Sequence, residues 1–145
     1  MVLKKQKSDK SSRGLFKVNT LGVIFDPRTR KILIGKKEKD PNLSKRSWCF
    51  PSGRPKSNAD LERNIERSVK SKTGLKVKSL GSVFSKIFDQ NKDVLLIYYL
   101  CEAVGGKEKP GNGFKDLKWV YPHELIKRFA NRFDKRLQEY ILGLK

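Results

Sequence analysis

Between Gly53 and Leu75 the chain reads GRPKSNADLERNIERSVKSKTGL, and this stretch holds side chains that could meet an ion or a phosphate. At about 100° per residue of helix, Leu61, Ile65 and Val69 form one apolar stripe. Ser68 and Lys72 fall on or beside that stripe, Asn64 and Ser71 flank it, and Glu62 and Glu66 lie on the other flank beside Arg63 and Lys70. A hard divalent cation takes oxygen ligands, preferably anionic ones, so the helix's two glutamates are its candidate ligands. Their place among basic neighbours, with Lys70 four residues after Glu66, reads as a solvated, ion-paired face. Asp89, Asp93 and Asp116 on other segments could contribute carboxylates. Lys72 has two readings: a last-turn lysine favoured by the helix dipole and reaching to solvent, or a fixed cation facing a phosphate.

Positive charge gives the phosphate reading its weight. The chain has 34 Lys and Arg against 15 Asp and Glu, a formal +19 with a pI near 10.1. From Arg28 to Arg46 there are eight basic residues and two acids, and from Arg54 to Lys78 eight and three. Such a balance concerns partners more than fold and points to nucleic acid. No module for reading a duplex groove is evident, so RNA is the expected partner. Candidate contacts are Lys36, Lys37, Arg46, Arg54, Lys56, Arg67 and Lys72. Interleaved aromatic residues such as Trp48, Phe114 and Trp119 read mainly as packing, with one or two able to stack a base. The single histidine, His123, opens a helix in PHEL and reads as a surface or capping residue. Cys49 and Cys101 form no CxxC pair and read as buried thiols of a reducing compartment.

The elements that must position these residues are legible from periodicity. Residues 1–16 form a basic arm with little to bury. VNTLGVIFD and KILIGKK read as strands joined by the turn PRTR, and SWCFP as a short strand ending at Pro51. A helix is expected from Ser57 to Thr73, with Ser57 capping, Asp60 completing an approximate capping box, and Gly74 as the stop. LKVKSLGSVFSKIFD and VLLIYYLCEAV form a hairpin across QNKD. GGKEKPGNG is a loop, DLKWV a last strand, and the segment from Pro122 a single long helix. The order β-β-β-α-β-β-β-α implies an α/β fold with a mixed sheet between helices. No apolar run approaches a membrane span and no secretory signal is present, so a cytoplasmic protein without membrane partners is expected.

WCFPSG, the helix with its closing Gly74-Leu75, and the C-terminal WVYPHEL resemble the Nudix hydrolase superfamily over nearly everything after the arm, residues 17–145. The superfamily signature is G-x5-E-x7-R-E-U-x-E-E-x-G-U, with U a bulky aliphatic residue. Laid on the chain without gaps, it places Gly53, Arg67, Val69, Gly74 and Leu75 at the glycine, arginine and aliphatic positions. Ala59, Ser68, Ser71 and Lys72 stand at the four glutamates. The resemblance implies an α/β/α sandwich. It also implies that the missing carboxylates are those that in Nudix enzymes bind divalent metal, clamp a diphosphate and activate water, and that the arginine's carboxylate partners are gone. The resulting expectation is a non-catalytic Nudix-fold protein with no cofactor and no confident catalytic residue. It would bind RNA or a nucleotide diphosphate through basic loops, as a ribonucleoprotein component. The alternatives are a Nudix-type pyrophosphohydrolase using Mg2+ or Mn2+ held by ligands outside the signature, or a nucleotide sensor.

Overall fold

The computed structural model describes residues 16–38, 48–56, 59–129 and 134–144. The arm apart from Phe16, the loop bearing Arg46, and Ser57 lie outside the described residues. Strands β1 (Lys17–Asp26) and β2 (Lys31–Lys37) form the first hairpin, closed by the Arg30 amide on the Asp26 carbonyl. The anticipated single strand at SWCFP is instead two two-residue pairings, β3 (Trp48–Cys49) and β4 (Ser52–Gly53), on either side of Pro51. Helix α1 (Leu61–Thr73) follows, then β5 (Leu75–Ile87), β6 (Val94–Gly106) and β7 (Phe114–Val120). The expected single C-terminal helix divides into α2 (Pro122–Phe129) and α3 (Lys135–Leu142), the latter capped by Asp134, whose carboxylate accepts from the Arg136 amide.

The sheet is mixed, as the strand order demands. β1 runs parallel to β6 from Lys17–Val94 to Ile24–Cys101, and β5 pairs antiparallel with β6 at the far edge. On the other side β2 pairs with β7. Alternation along the central strands sends side chains to two faces. Val23, Phe25, Ile32 and Ile34 enter one core with Leu125 and Phe129 of α2 and Leu137 and Ile141 of α3. Ile24 and Leu33 enter the other, with Ile65 and Val69 of α1 and with Tyr99 and Cys101 of β6. Helices cover both faces, giving the α/β/α sandwich. Complete burial of Ile65 and Val69 is worth about 1.5–3 kcal/mol each and fixes the rotation of α1 about its axis.

The ends of α1 are defined by side chains. Asp60, not Ser57, is the N-cap: its carboxylate accepts from the Glu62 and Arg63 amides at 3.0 and 3.2 Å. At the C-terminus Gly74 has φ +78°, a left-handed conformation suited to glycine. A β-carbon there would also overlap the Lys107 carbonyl. Burial raises the Cys101 thiol to about 12, consistent with an unreactive core thiol, whereas Cys49 is half-buried.

Candidate functional site: a basic groove against helix α1

The groove exists because β1 and β2 diverge. They pair only near their turn, from Ile24–Leu33 to Asp26–Lys31. Farther along, β1 pairs with β4 at Thr20 and Leu21, and β2 with β3 at Gly35 and Lys36. The segment 48–53 is thereby wedged between them, and the Gly22 amide donates to the Pro51 carbonyl at 2.8 Å. Helix α1 crosses this wedge at close range: a β-carbon on Gly53 would overlap the Ser68 side chain. That contact explains why glycine opens the 53–75 stretch. The fully buried Thr20 hydroxyl donates to Asn64 Oδ1 at 2.9 Å, tying helix to strand from beneath.

The loop after β6 forms the opposite wall and uses the helix's unpaired last carbonyls. The Lys109 amide donates to the Thr73 carbonyl at 2.8 Å and the Gly111 amide to the Lys72 carbonyl at 3.0 Å. Asn112, at φ +37°, donates from Nδ2 to Ser71 Oγ at 2.8 Å. A groove of about 710 Å3 lies between these walls, lined by Asn19, Lys37, Ser52, Gly53, Arg54, Arg67, Ser68, Ser71, Lys72 and Asn112. It opens into an annex of about 380 Å3 that shares Lys37, Ser52, Lys72 and Asn112 and adds Glu38, Cys49, Gly113 and Phe114.

Among the described residues the groove lining holds four cations and no carboxylate, and the annex adds one carboxylate, Glu38. Lys72 is half-buried, with its ammonium 5.7 Å from the centre of the Phe114 ring. Burial pulls its pKa below the ordinary lysine value. Nearby Lys37 and Arg54 act in the same direction, and Cys49 opposes them. An anion placed among these groups would relieve their repulsion and favour the charged form of Lys72.

The expected site residues do not all meet here. Lys37, Arg54, Arg67 and Lys72 line the groove, together with Ser68 and Ser71. Lys36 is not among the lining residues; its ammonium lies 6.0 Å from the Trp48 ring centre. Lys56 is exposed and Ala59 half-buried at the approach to α1, and neither contributes to the lining. Val69 and Leu75 are buried in the core. His123 stacks on Tyr121 with ring centres 5.8 Å apart, and Glu124 caps α2 by accepting the Tyr121 amide at 3.0 Å.

Glu66, half-buried, corrects the solvated-face reading, whereas Glu62 stays exposed as that reading expects. Glu66 Oε2 accepts the Ser79 amide and Glu62 Oε2 the Ser79 hydroxyl, each at 2.8 Å. Both carboxylates thus brace α1 against β5. Lys70, expected to pair with Glu66, donates to the Gly74 carbonyl at 3.1 Å. Among the described residues no three His, Cys, Asp or Glu side chains come together to hold a metal ion. The sequence reading missed Asn19 and Asn112. The Asn112-Gly113 pair carried a turn signal, but its folding back onto Ser71 depends on tertiary contacts.

Comparison with known proteins agrees with this architecture. A "MutT-like protein" of Streptomyces ambofaciens is 22% identical over 140 residues, covering 95% of this chain and 85% of the relative. An ADP-ribose pyrophosphatase from Streptococcus suis superposes with a TM-score of 0.61 at 22% identity, over 74% of this chain and 75% of that one. The NUDIX domain of Shewanella oneidensis NrtR, complexed with ADP ribose, gives 0.64 at 16% identity over 96% of each chain. At these identities the structural likeness is one of fold. A family model for the NUDIX domain matches residues 15–140, and the chain belongs to that family.

Proposed function

We propose that this chain is a NUDIX protein that binds without catalysing: it holds a nucleotide diphosphate, or the phosphate-bearing end of an RNA, with no metal ion between protein and phosphate. One observation carries the reading. The groove beside α1 presents Lys37, Arg54, Arg67 and Lys72 with no carboxylate among the described residues of its lining. Ala59, Ser68, Ser71 and Lys72 occupy the four positions where the signature has glutamates. Alanine offers no ligand, serine hydroxyls are neutral, and an ammonium repels a divalent cation. These residues do not fit a magnesium cluster. The groove does fit a phosphate, to which two lysines and two arginines can donate charge-assisted hydrogen bonds. The serine hydroxyls and the Asn19 and Asn112 carboxamides offer neutral partners to the same ligand.

The test pairs turnover with binding. The protein is incubated with ADP-ribose, dinucleoside polyphosphates and capped RNA in Mg2+ or Mn2+, and the same ligands are titrated in EDTA by calorimetry. The expected result is no release of nucleoside monophosphate together with binding that survives chelation. Metal-dependent release would overturn the reading and establish a hydrolase.

The hydrolase and sensor alternatives draw support from the relatives. The Streptococcus suis structure is named as an ADP-ribose pyrophosphatase, and the Shewanella oneidensis domain is complexed with ADP ribose. Hydrolysis here would require Mg2+ or Mn2+ held by carboxylates outside the signature positions. A nucleotide sensor would bind ADP-ribose in EDTA while showing no affinity for RNA, which separates it from an RNA or ribonucleoprotein component.

A further inference from the structure

Arg67 lines two depressions. Besides the groove, it borders a second pocket of about 320 Å3 on the outer flank of α1, formed with Arg63, Glu66, Lys70, Lys76 and Val77. The second pocket is also basic: four cations surround a single carboxylate, and that carboxylate already accepts the Ser79 amide. Arg63, Arg67, Lys70 and Lys76 are all exposed. Lys70 is steered by its contact with the Gly74 carbonyl and keeps two ammonium protons for another acceptor. Arg63 and Arg67 are one helical turn apart, about 6 Å along the axis, so Arg67 is a step between two anion-binding depressions.

We infer that the two pockets take successive phosphates of one ligand, a single-stranded RNA whose terminal phosphates sit in the groove and whose chain leaves over Arg67 into the second pocket. The inference rests on the phosphate-binding reading of the groove. A lone nucleotide diphosphate occupies the first pocket and has nothing to place in the second. A ligand that spans both must repeat its negative charge. Inorganic polyphosphate does so as well, but it carries no donor for the Asn19 and Asn112 carboxamide oxygens in the groove, which the ribose hydroxyls and base N–H groups of a terminal nucleotide supply. Backbone phosphates positioned by Arg and Lys, with few base-specific contacts, suit an RNA end bound without regard to sequence.

The test compares three probes in EDTA: ADP, inorganic tripolyphosphate and a 5′-phosphorylated single-stranded oligoribonucleotide of eight residues. Each is titrated against the wild type and against an Arg63→Ala/Lys70→Ala/Lys76→Ala variant. An Arg63→Gln/Lys76→Gln variant, which leaves the Lys70–Gly74 contact in place, guards against a folding defect and is checked by thermal melting. The oligoribonucleotide is expected to bind the wild type more tightly than ADP and to lose about tenfold or more in both variants, while ADP affinity stays unchanged. Equal oligoribonucleotide affinity in wild type and variants would overturn the second pocket while leaving the groove intact. A tenfold loss confined to tripolyphosphate would overturn RNA as the occupant. Failure of wild type to bind ADP would overturn the groove reading on which the inference stands.

Discussion

Lys72 shows what a sequence can and cannot say about one side chain. Its place at a glutamate position was legible by counting from Gly53, but its direction was not. A last-turn lysine can reach past the core to solvent, and whether it does depends on the loop at 107–113 and on Phe114, forty residues away in the chain. The structure folds that loop onto the helix's last carbonyls and leaves Lys72 half-buried over the Phe114 ring. Burial lowers its pKa from 10.5, and the sign of the consequence for binding follows. Well below the lowered value Lys72 is already charged, so binding an anion takes up no proton. As pH rises through it, the free protein loses the ammonium while the complex favours keeping it, and affinity falls. ADP is a suitable probe above about pH 8, where a phosphate with a second pKa near 6 has constant charge. ADP affinity should therefore begin to fall at a pH below the ordinary lysine range. In Lys72→Arg, whose guanidinium stays charged, this fall should be much reduced. Calorimetry from pH 8 up through the ordinary lysine range checks it, and identical profiles for the two proteins would exclude Lys72 from the site.

Helix α1 was readable as an element because three independent signals agreed: the Leu61, Ile65, Val69 stripe, an approximate capping box from Ser57 to Asp60 and a closing glycine. Its first residue was not, since Ser57 and Asp60 are both competent caps and only the backbone geometry selects Asp60. The outer face misled for a related reason. Glutamates among lysines ordinarily point to water, and nothing in the sequence shows that β5 shifts register between Ser79 and Ser82 and offers the Ser79 amide and hydroxyl to them. The division of the last helix at Asp134 was likewise hidden, because α2 and α3 contribute alternately to one continuous apolar core. The corrected role of the glutamates makes a prediction that separates bracing from metal binding. Glu66→Ala leaves the half-buried Ser79 amide without its carboxylate and should cost about 1–3 kcal/mol of stability. Glu62→Ala removes a more exposed contact and should cost less. Urea denaturation of both variants, with and without Mg2+, provides the measurement. Stability unchanged by Glu66→Ala would restore the solvated-face reading, and a stabilisation by Mg2+ that vanishes in it would make the glutamate a cation ligand.

At the scale of the whole molecule, the charge of +19 could be no more than a soluble, evenly repulsive surface, and composition alone does not decide the matter. What decides it is whether the cations converge. Strand divergence, the wedge at 48–53 and the returning loop gather Lys37, Arg54, Arg67 and Lys72 into one groove, and the flank of α1 adds Arg63, Lys70 and Lys76. None of this convergence is visible along the chain, where the same residues are separated by up to forty positions. Converging charge has a signature that diffuse charge lacks. For single-stranded nucleic acid, log affinity falls with log salt by roughly 0.7 for each phosphate neutralised, so four to seven contacts predict a slope of about −3 to −5. Fluorescence anisotropy of the eight-residue oligoribonucleotide between 50 and 300 mM KCl should give that slope for a chain lacking residues 1–14. The arm carries five basic residues and one acid; if it reaches the same RNA, the full chain should show a slope steeper by about 0.7 for each further phosphate it neutralises. An identical slope would leave the arm without a phosphate contact. A slope near zero in both proteins would mean that the gathered cations do not hold RNA at all, leaving the groove to small nucleotides.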